Sequence, residues 1–423
     1  MKNLIKNYNP WVVVALLWVV ALLNYLDRQM LSTMQHSIGI TIPAIQDPAN
    51  FGRLMAIFLW VYGLMSPISG SVADRVSRKW LIIGSLGVWS AVTSLMGFCT
   101  TYNGILWLRA VMGVSEALYI PAGLSLIADY FTGNSRSLAI GVHMTGLYMG
   151  QALGGFGATV AAAFSWQDTF RWFGVAGIAY AVILAIFLRD KERSKDPVQV
   201  EELYGAEGNP AVVEEKKSLP VLKGFGIIFS NVAFWVILFF FASSSLPGWS
   251  TKNWLPTLFA ENLGLSPQVA GPAATISIAV ASFFGVMIGG PISDKWVKRN
   301  IRGRVYTSAI GLSLMVPTLI MIGLGHNAIV TIAVALLFGI GYGMFDSNTM
   351  PILCQFIPDR LRASAYGILN MTGVFAGAII TEILGNWAAE GDLGLGFVYM
   401  GGIIIFAVAM QLFFLRPVTD DMK

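Results

Sequence analysis

Gly70-Ser-Val-Ala-Asp74-Arg75-Val-Ser-Arg78-Lys79 returns 220 positions later as Gly290-Pro-Ile-Ser-Asp294-Lys295-Trp-Val-Lys298-Arg299. Each copy follows an apolar run long enough to cross a bilayer as a helix. In each, a glycine near the helix end would allow close approach, the aspartate can accept hydrogen bonds at a neighbouring helix N-terminus, and the basic cluster suits an anionic membrane surface. A second pair agrees: Gly113…Glu116…Pro121…Asp129 matches Gly343…Asp346…Pro351…Asp359, 230 positions on. Downstream, Arg136-x-x-Ala139-x-Gly141 matches Arg362-x-x-Ala365-x-Gly367 at an offset of 226. Agreement in position, spacing and order marks an internal duplication. A duplicated unit with parallel halves is a transporter architecture, with the substrate site near the midplane between the halves.

Composition supports this reading. The 423 residues are 56% hydrophobic and 12% charged, with a mean hydropathy of +0.67, whereas soluble domains carry about a quarter charged residues. The chain therefore reads as an all-α membrane protein. Its net charge of +4 is dispersed among loops and is no nucleic-acid signal. Cys99 and Cys354 lie in apolar surroundings and indicate neither a disulfide framework nor a metal site. No cofactor is expected.

Twelve apolar stretches predict spans at 11–33, 52–73, 80–99, 104–127, 137–162, 170–189, 230–249, 268–292, 305–325, 328–350, 364–386 and 395–415. With the N-terminus inside, the inner side holds Lys2, Lys6, Arg75, Arg78, Lys79, Arg136, the cluster from Arg189 to Lys223, Lys295 to Arg304, Arg360, Arg362, Arg416 and Lys423. The outer side holds Arg53, Arg171 and Lys252. That asymmetry places both termini in the cytoplasm. The first run ends in Asp27-Arg28, not at a small-residue cleavage site, so it reads as an uncleaved span. The polar, proline-punctuated stretch at 190–224 reads as a cytoplasmic linker between six-helix bundles at 1–189 and 225–423.

The chemistry lies in charges where lipid should forbid them. Asn24-Tyr25-Leu26-Asp27-Arg28 sits inside the first span, and each Asp or Arg near a helix centre costs roughly 2.5–3.5 kcal/mol on insertion scales. Positions 24, 27 and 28 are related by i, i+3 and i+4 and share one helix face. A structural ion pair, or snorkelling of Arg28 to the interface, is the competing reading. Arg109 and Glu116 in the fourth span are seven residues apart, so they also share a face, which Tyr119 joins. Four such charges in one bundle point to a cavity. A carboxylate there, with burial and arginines acting on it in opposite senses, can exchange protons. An arginine not fully neutralised attracts a carboxylate substrate.

The motif Gly70 to Lys79 resembles the inter-helix signature of the major facilitator superfamily, G-x-x-x-D-R-x-G-R-K, with Ser77 where glycine is common and a degenerate second copy at Gly290 and Asp294. The resemblance spans nearly the whole chain and implies twelve transmembrane helices in two pseudo-symmetric bundles. Within that superfamily, N-Y-L-D-R in the first helix with R-x-x-x-G-x-x-E in the fourth resembles the anion:cation symporters of sugar acids and sialic acids. That resemblance implies proton sites at Asp27 and Glu116, an anion clamp at Arg28, and Arg109 as the partner adjusting the carboxylates. It also implies substrate contacts from Tyr62, from Asn370 in Gly367-Ile-Leu-Asn370, and from Asn253-Trp254-Leu255-Pro256.

In the fifth span the sugar-acid carriers often place glutamine after glycine. Here the stretch is Thr145-Gly146-Leu147, so the polar contact moves to His143 or Gln151 or is lost. This region, with Gly113-Val-Ser-Glu116-Ala-Leu-Tyr119, also resembles the spinster-like lysolipid carriers, which remain the alternative. Asn24, Tyr25, Tyr119 and Asp346 complete the candidate substrate residues. Asp346 mirrors Glu116 and either binds polar substrate groups or pairs structurally. Gly146, Gly150 and Gly154 predict close packing of the fifth helix against a neighbour. Lys252, near the outer end of the seventh span, reads as a snorkelling interfacial residue, with steering of anions as the alternative. No Walker A loop, G-x-S-x-G elbow or His-Glu-x-x-His pair is present, so neither an enzyme nor ATP-driven transport is expected. The expectation is a monomeric, multi-pass protein of a bacterial inner-membrane type that imports an organic anion with protons.

Overall fold

A computed structural model describes residues 9–131, 134–191, 221–358 and 361–417, excepting side chains at 70, 71, 73–75, 134, 137, 221–225 and 363. The linker over 192–220 and the side chains of Asp74 and Arg75 therefore lie outside the described residues. Among these residues the regular structure is α-helical, with a short 3-10 turn at Pro43–Ile45.

The N-terminal half comprises α1 (Pro10–Thr33), α2 (Gln35–Thr41), α3 (Pro48–Arg75), α4 (Arg78–Met96), α5 (Tyr102–Ala117), α6 (Tyr119–Tyr130), α7 (Asn134–Gly154), α8 (Gly157–Ala163) and α9 (Trp166–Phe187). The C-terminal half comprises α10 (Val221–Ser230), α11 (Val232–Leu263), α12 (Pro267–Val297), α13 (Gly303–Leu324), α14 (Ala328–Phe356), α15 (Arg362–Glu390) and α16 (Leu393–Phe414). At 1.5 Å per residue, α1 is about 36 Å long, enough for a hydrocarbon core of about 30 Å. Helices are forced here because each backbone N–H and C=O must find its partner within the segment. Side chains cap the ends: Asn9 accepts from Trp11 N, Asp47 from Ala49 N, Thr101 from Gly104 N and Asn327 from Val330 N. Gly264 and Gly391 end α11 and α15 with φ of 61° and 87°, a left-handed backbone that a side chain would oppose.

Among the described residues, eleven helices are long and apolar enough to cross a membrane, with α5 and α6 taken together as one. The fourth expected span is met by α5 and α6, which abut at Leu118. The fifth is the exception: α7 and α8 divide it at residues 155–156. There the N–H groups of Gly155 and Phe156 bond three residues back, to Ala152 and Leu153, so the α-helical ladder lapses. Large apolar side chains such as Trp107, Ile186, Phe187, Ile329 and Phe413 remain exposed on the outer faces, as a lipid-facing surface requires.

The glycines of α7 pack against α1. A Cβ on Gly146 would lie 2.6 Å from Trp18 O, on Gly150 2.2 Å from Leu22 O, and on Gly154 2.6 Å from Gln29 Cβ. This seam fixes the rotation of α1. The close approach expected at Gly290 is absent, since a Cβ there meets nothing within 4 Å. It falls instead at Gly289, beside Met344 Cα. In the motifs, Arg78 pairs with Asp129 within the N-terminal half, and Asp294 lies 3.6 Å from Arg304 Nη2 in the other.

The two halves meet along α3 with α15, α7 and α8 with α12, and α1 with α11. Three hydrogen bonds between them, among the described residues, lie toward one end. Gln29 Nε2 donates to Lys252 O (2.6 Å), Thr159 Oγ1 to Gln268 O (3.0 Å) and Thr275 Oγ1 to Ala152 O (3.1 Å). At the same end Gly52 meets Gly385 backbone to backbone, Phe51 packs edge-on to Trp254 at 6.0 Å, and Arg53 lies 3.7 Å from Glu382. Inside this seal, Tyr25 of one half faces Lys252 and Asp346 of the other across a central region, the cleft.

Candidate functional site: a charged cleft between the halves

The stripe Asn24, Asp27 and Arg28 is turned inward by the α1–α7 seam. Glu116 of α5 is fully buried, and its Oε2 accepts from Arg28 Nε (2.5 Å) and Asn24 Nδ2 (3.0 Å). The Arg28 guanidinium also lies 5.1 Å from the Tyr25 ring, 4.8 Å from Phe58 and 4.7 Å from Tyr62. Such rings hold a cation by their negative faces and leave its in-plane donors free.

Arg109 sits 4.6 Å from the same Phe58 ring, and its Nη1 donates to Met112 Sδ at 3.2 Å. It shares a helix face with Glu116 but makes no ion pair with it. Four buried polar atoms in this cluster have no hydrogen-bond partner: Arg28 Nη2, Arg109 Nε, Asn24 Oδ1 and Glu116 Oε1. Buried polar groups are usually paired, so these four atoms are donors and acceptors that a ligand could use.

Asp27 is 5% exposed and does not pair with Arg28. It accepts from Thr93 Oγ1 of α4 at 3.3 Å. The two carboxylates therefore occupy different settings, Glu116 against a guanidinium and Asp27 against a neutral hydroxyl.

Across the cleft, Asp346 of α14 is exposed despite its mid-helix position. It interacts electrostatically with Lys252 and with the hydroxyls of Tyr25 and Tyr148 on the other half, so it faces the cleft and not lipid. Tyr148 packs edge-on to Phe283 at 6.2 Å, which closes one flank. Asn370 is half-buried on α15.

Other expected contacts go elsewhere. Tyr119 is fully buried and donates to Leu17 O at 2.8 Å, with His143, also fully buried, 6.1 Å behind its ring. Tyr119 thus ties α6 to α1. Asn253 Nδ2 donates to Thr381 Oγ1 (2.8 Å) and Trp254 Nε1 to Thr381 O (3.0 Å), so this pair ties α11 to α15 at the seal. Gln151 is buried in α7. A separate cavity of about 510 Å³, lined by residues including Gln35, His36, Gln46 and Glu261, lies at the sealed end and holds none of the central charges.

Phe58 and Thr93, outside the sequence motifs, adjoin these charges, and Lys252, read from sequence as snorkelling or anion-steering, lies 5.9 Å from the Tyr25 ring. Phe58 carried a signal, since it stands one helical turn before Tyr62. Thr93 carried none, because the contact crosses from α4 to α1.

A model described as Major Facilitator Superfamily matches residues 17–381. The chain is 24% identical over 411 residues to a D-galactonate transporter of Escherichia coli O6:H1, covering 93% of each chain. It is 24% identical over 439 residues to the probable galactarate/D-glucarate transporter GarP of Escherichia coli K12, covering 98% of this chain and 96% of that one. The fold is similar to the crystal structure of a bacterial homologue of the human lysosomal transporter spinster, inward-facing and occupied. The TM-score is 0.78 at 18% identity, over 99% of each chain.

Proposed function

The chain belongs to the Major Facilitator Superfamily, and we propose that within it the chain is a proton-coupled symporter importing a sugar acid such as a hexuronate, aldonate or sialate. The observation that carries this reading is the buried Arg28–Glu116 pair, flanked by unused donors and opening on the cleft. The similarity to galactonate and to galactarate/glucarate transporters supports the substrate class.

The mechanism follows from the charges. With Glu116 ionised, Arg28 is neutralised and has little reason to take an anion. A proton on Glu116 removes that compensation, and a guanidinium left uncompensated in a low-dielectric site is costly. The substrate carboxylate restores it, engaging Arg28 Nη2. Asp27 takes the other proton beside Thr93, and Arg109 keeps the local potential positive through the shared Phe58 ring. Release follows when the carboxylates lose their protons and Glu116 reclaims Arg28.

With the basic loops cytoplasmic, the sealed end is periplasmic and this conformation is inward-open. Domains at 1–189 and 225–423 then rock about the bound anion, with the linker on the cytoplasmic side. The test is uptake of labelled sugar acids into proteoliposomes under an imposed pH gradient. Uptake by Arg28→Ala or Glu116→Gln protein equal to that of the unmodified protein would refute the mechanism. Lysolipid carriage is the second reading, favoured by the similarity of the fold to the spinster homologue. Thermal stabilisation by lysolipids and not by sugar acids would establish it instead.

A further inference from the structure

Lys252, expected to snorkel to the membrane interface, is turned into the cleft. It is half-buried, with its ammonium 4.8 Å from the Trp249 ring and 5.9 Å from the ring of Tyr25 on the opposite half. Its backbone carbonyl is held by Gln29 in the seal. Among the described residues no carboxylate comes within ion-pair distance of it.

Its place in the duplication is specific. Lys252 stands 224 positions after Arg28, on the spanning helix that repeats α1, and Asp346 stands 230 positions after Glu116. Each half therefore sets a cation on its first spanning helix and a carboxylate on its fourth. In the N-terminal half the two are closed on each other at 2.5 Å, whereas in the C-terminal half they are apart.

We propose that Lys252 is a second anion-binding residue of the cleft, and that it makes the site selective for sugar acids with a carboxylate at each end. This rests on the proton-coupled sugar-acid reading above. Tyr25 is the ruler: Arg28 Cζ lies 5.1 Å and Lys252 Nζ 5.9 Å from its centroid, so their separation cannot exceed the sum of the two. A six-carbon chain separates its terminal carbons by roughly 6 Å on standard bond lengths. One hydrogen bond of about 2.9 Å at either end then bridges the two cations with a bend in the chain.

Charge balance agrees. The central site holds three cations, Arg28, Arg109 and Lys252, and three carboxylates, Asp27, Glu116 and Asp346. Protons on Asp27 and Glu116 leave two positive charges in excess. A dianion cancels both, and a monoanion leaves one uncompensated. Asp346, exposed to the cleft, accepts from hydroxyls between the two ends.

The test measures initial uptake of labelled D-glucarate and D-gluconate, a matched diacid and monoacid, by the full chain in proteoliposomes under an inward proton gradient. The unmodified protein should prefer glucarate. Lys252→Gln should raise the KM for glucarate at least tenfold while moving that for gluconate less than threefold, and Lys252→Arg should restore glucarate. A preference for gluconate in the unmodified protein, or KM values that move together or not at all in Lys252→Gln, would overturn the inference while leaving sugar-acid symport standing. Gradient-independent uptake of both acids, or uptake of neither, would overturn the symport reading and this inference with it.

Discussion

Glu116→Gln separates the charge of Glu116 from its shape. Glutamine is nearly isosteric, and its oxygen can still accept from Asn24 and Arg28, which bond Glu116 Oε2 at 3.0 and 2.5 Å. The variant is thus a permanent likeness of the protonated state. Removing one partner of a buried ion pair costs roughly 3–5 kcal/mol. Here the figure belongs toward its lower end, because Arg28 keeps three aromatic rings and 11% side-chain exposure. If a bound carboxylate recovers about half to all of a ~3 kcal/mol deficit, affinity for the substrate anion rises about 10- to 100-fold, at about 1.4 kcal/mol per factor of ten. The sign with pH follows. In the unmodified protein, rising pH ionises Glu116 and weakens anion binding, whereas the variant should bind with a flatter pH profile. Gradient-driven accumulation should be lost and substrate counterflow retained. Binding titrations at acidic and alkaline pH, with paired uptake and counterflow in proteoliposomes, measure all three. Binding no tighter than that of the unmodified protein at alkaline pH, with accumulation intact, would refute the reasoning.

Other outcomes follow from the same structure. Arg28→Lys keeps the charge but loses the planar Nε donor and the stacking on Phe58 and Tyr62, so uptake should fall at least tenfold in a protein that still elutes as a folded species. Gly150→Ala places a methyl group against Leu22 O in the α1–α7 seam and should destabilise the fold by about 1–3 kcal/mol, read as a lower thermal midpoint in detergent. Arg53→Gln breaks an ion pair whose partners are 57% and 41% exposed, and the midpoint should barely move. In Cys354→Ala protein, an impermeant thiol reagent applied to intact cells should label Cys99, which is half-buried at the end of α4. Labelling only in inverted vesicles would reverse the assigned orientation.

Much of this molecule is written along the chain. Membrane crossing follows from apolar length, because lipid offers backbone groups no partner. The two-half plan follows from motifs that recur at near-constant offset, and the central charges stand out because an ionised side chain within an apolar run is expensive. Local rules also placed Asn24, Asp27 and Arg28 on one stripe, and the α7 glycines against a neighbour.

Partner choice was decided only in three dimensions. Asp27 and Arg28 are adjacent, yet one turns to Thr93 and the other to Glu116, because the α1–α7 seam sets the rotation of α1. Tyr119 donates to Leu17 O, and Asn253 and Trp254 donate to Thr381, contacts that no motif marks. Lys252 lies at interfacial depth by sequence, yet its ammonium stands 5.9 Å from the Tyr25 ring of the other half. Depth along a helix is a one-dimensional quantity, whereas facing lipid, a neighbour or the cleft depends on helix rotation, and that is set by contacts between segments far apart in the chain.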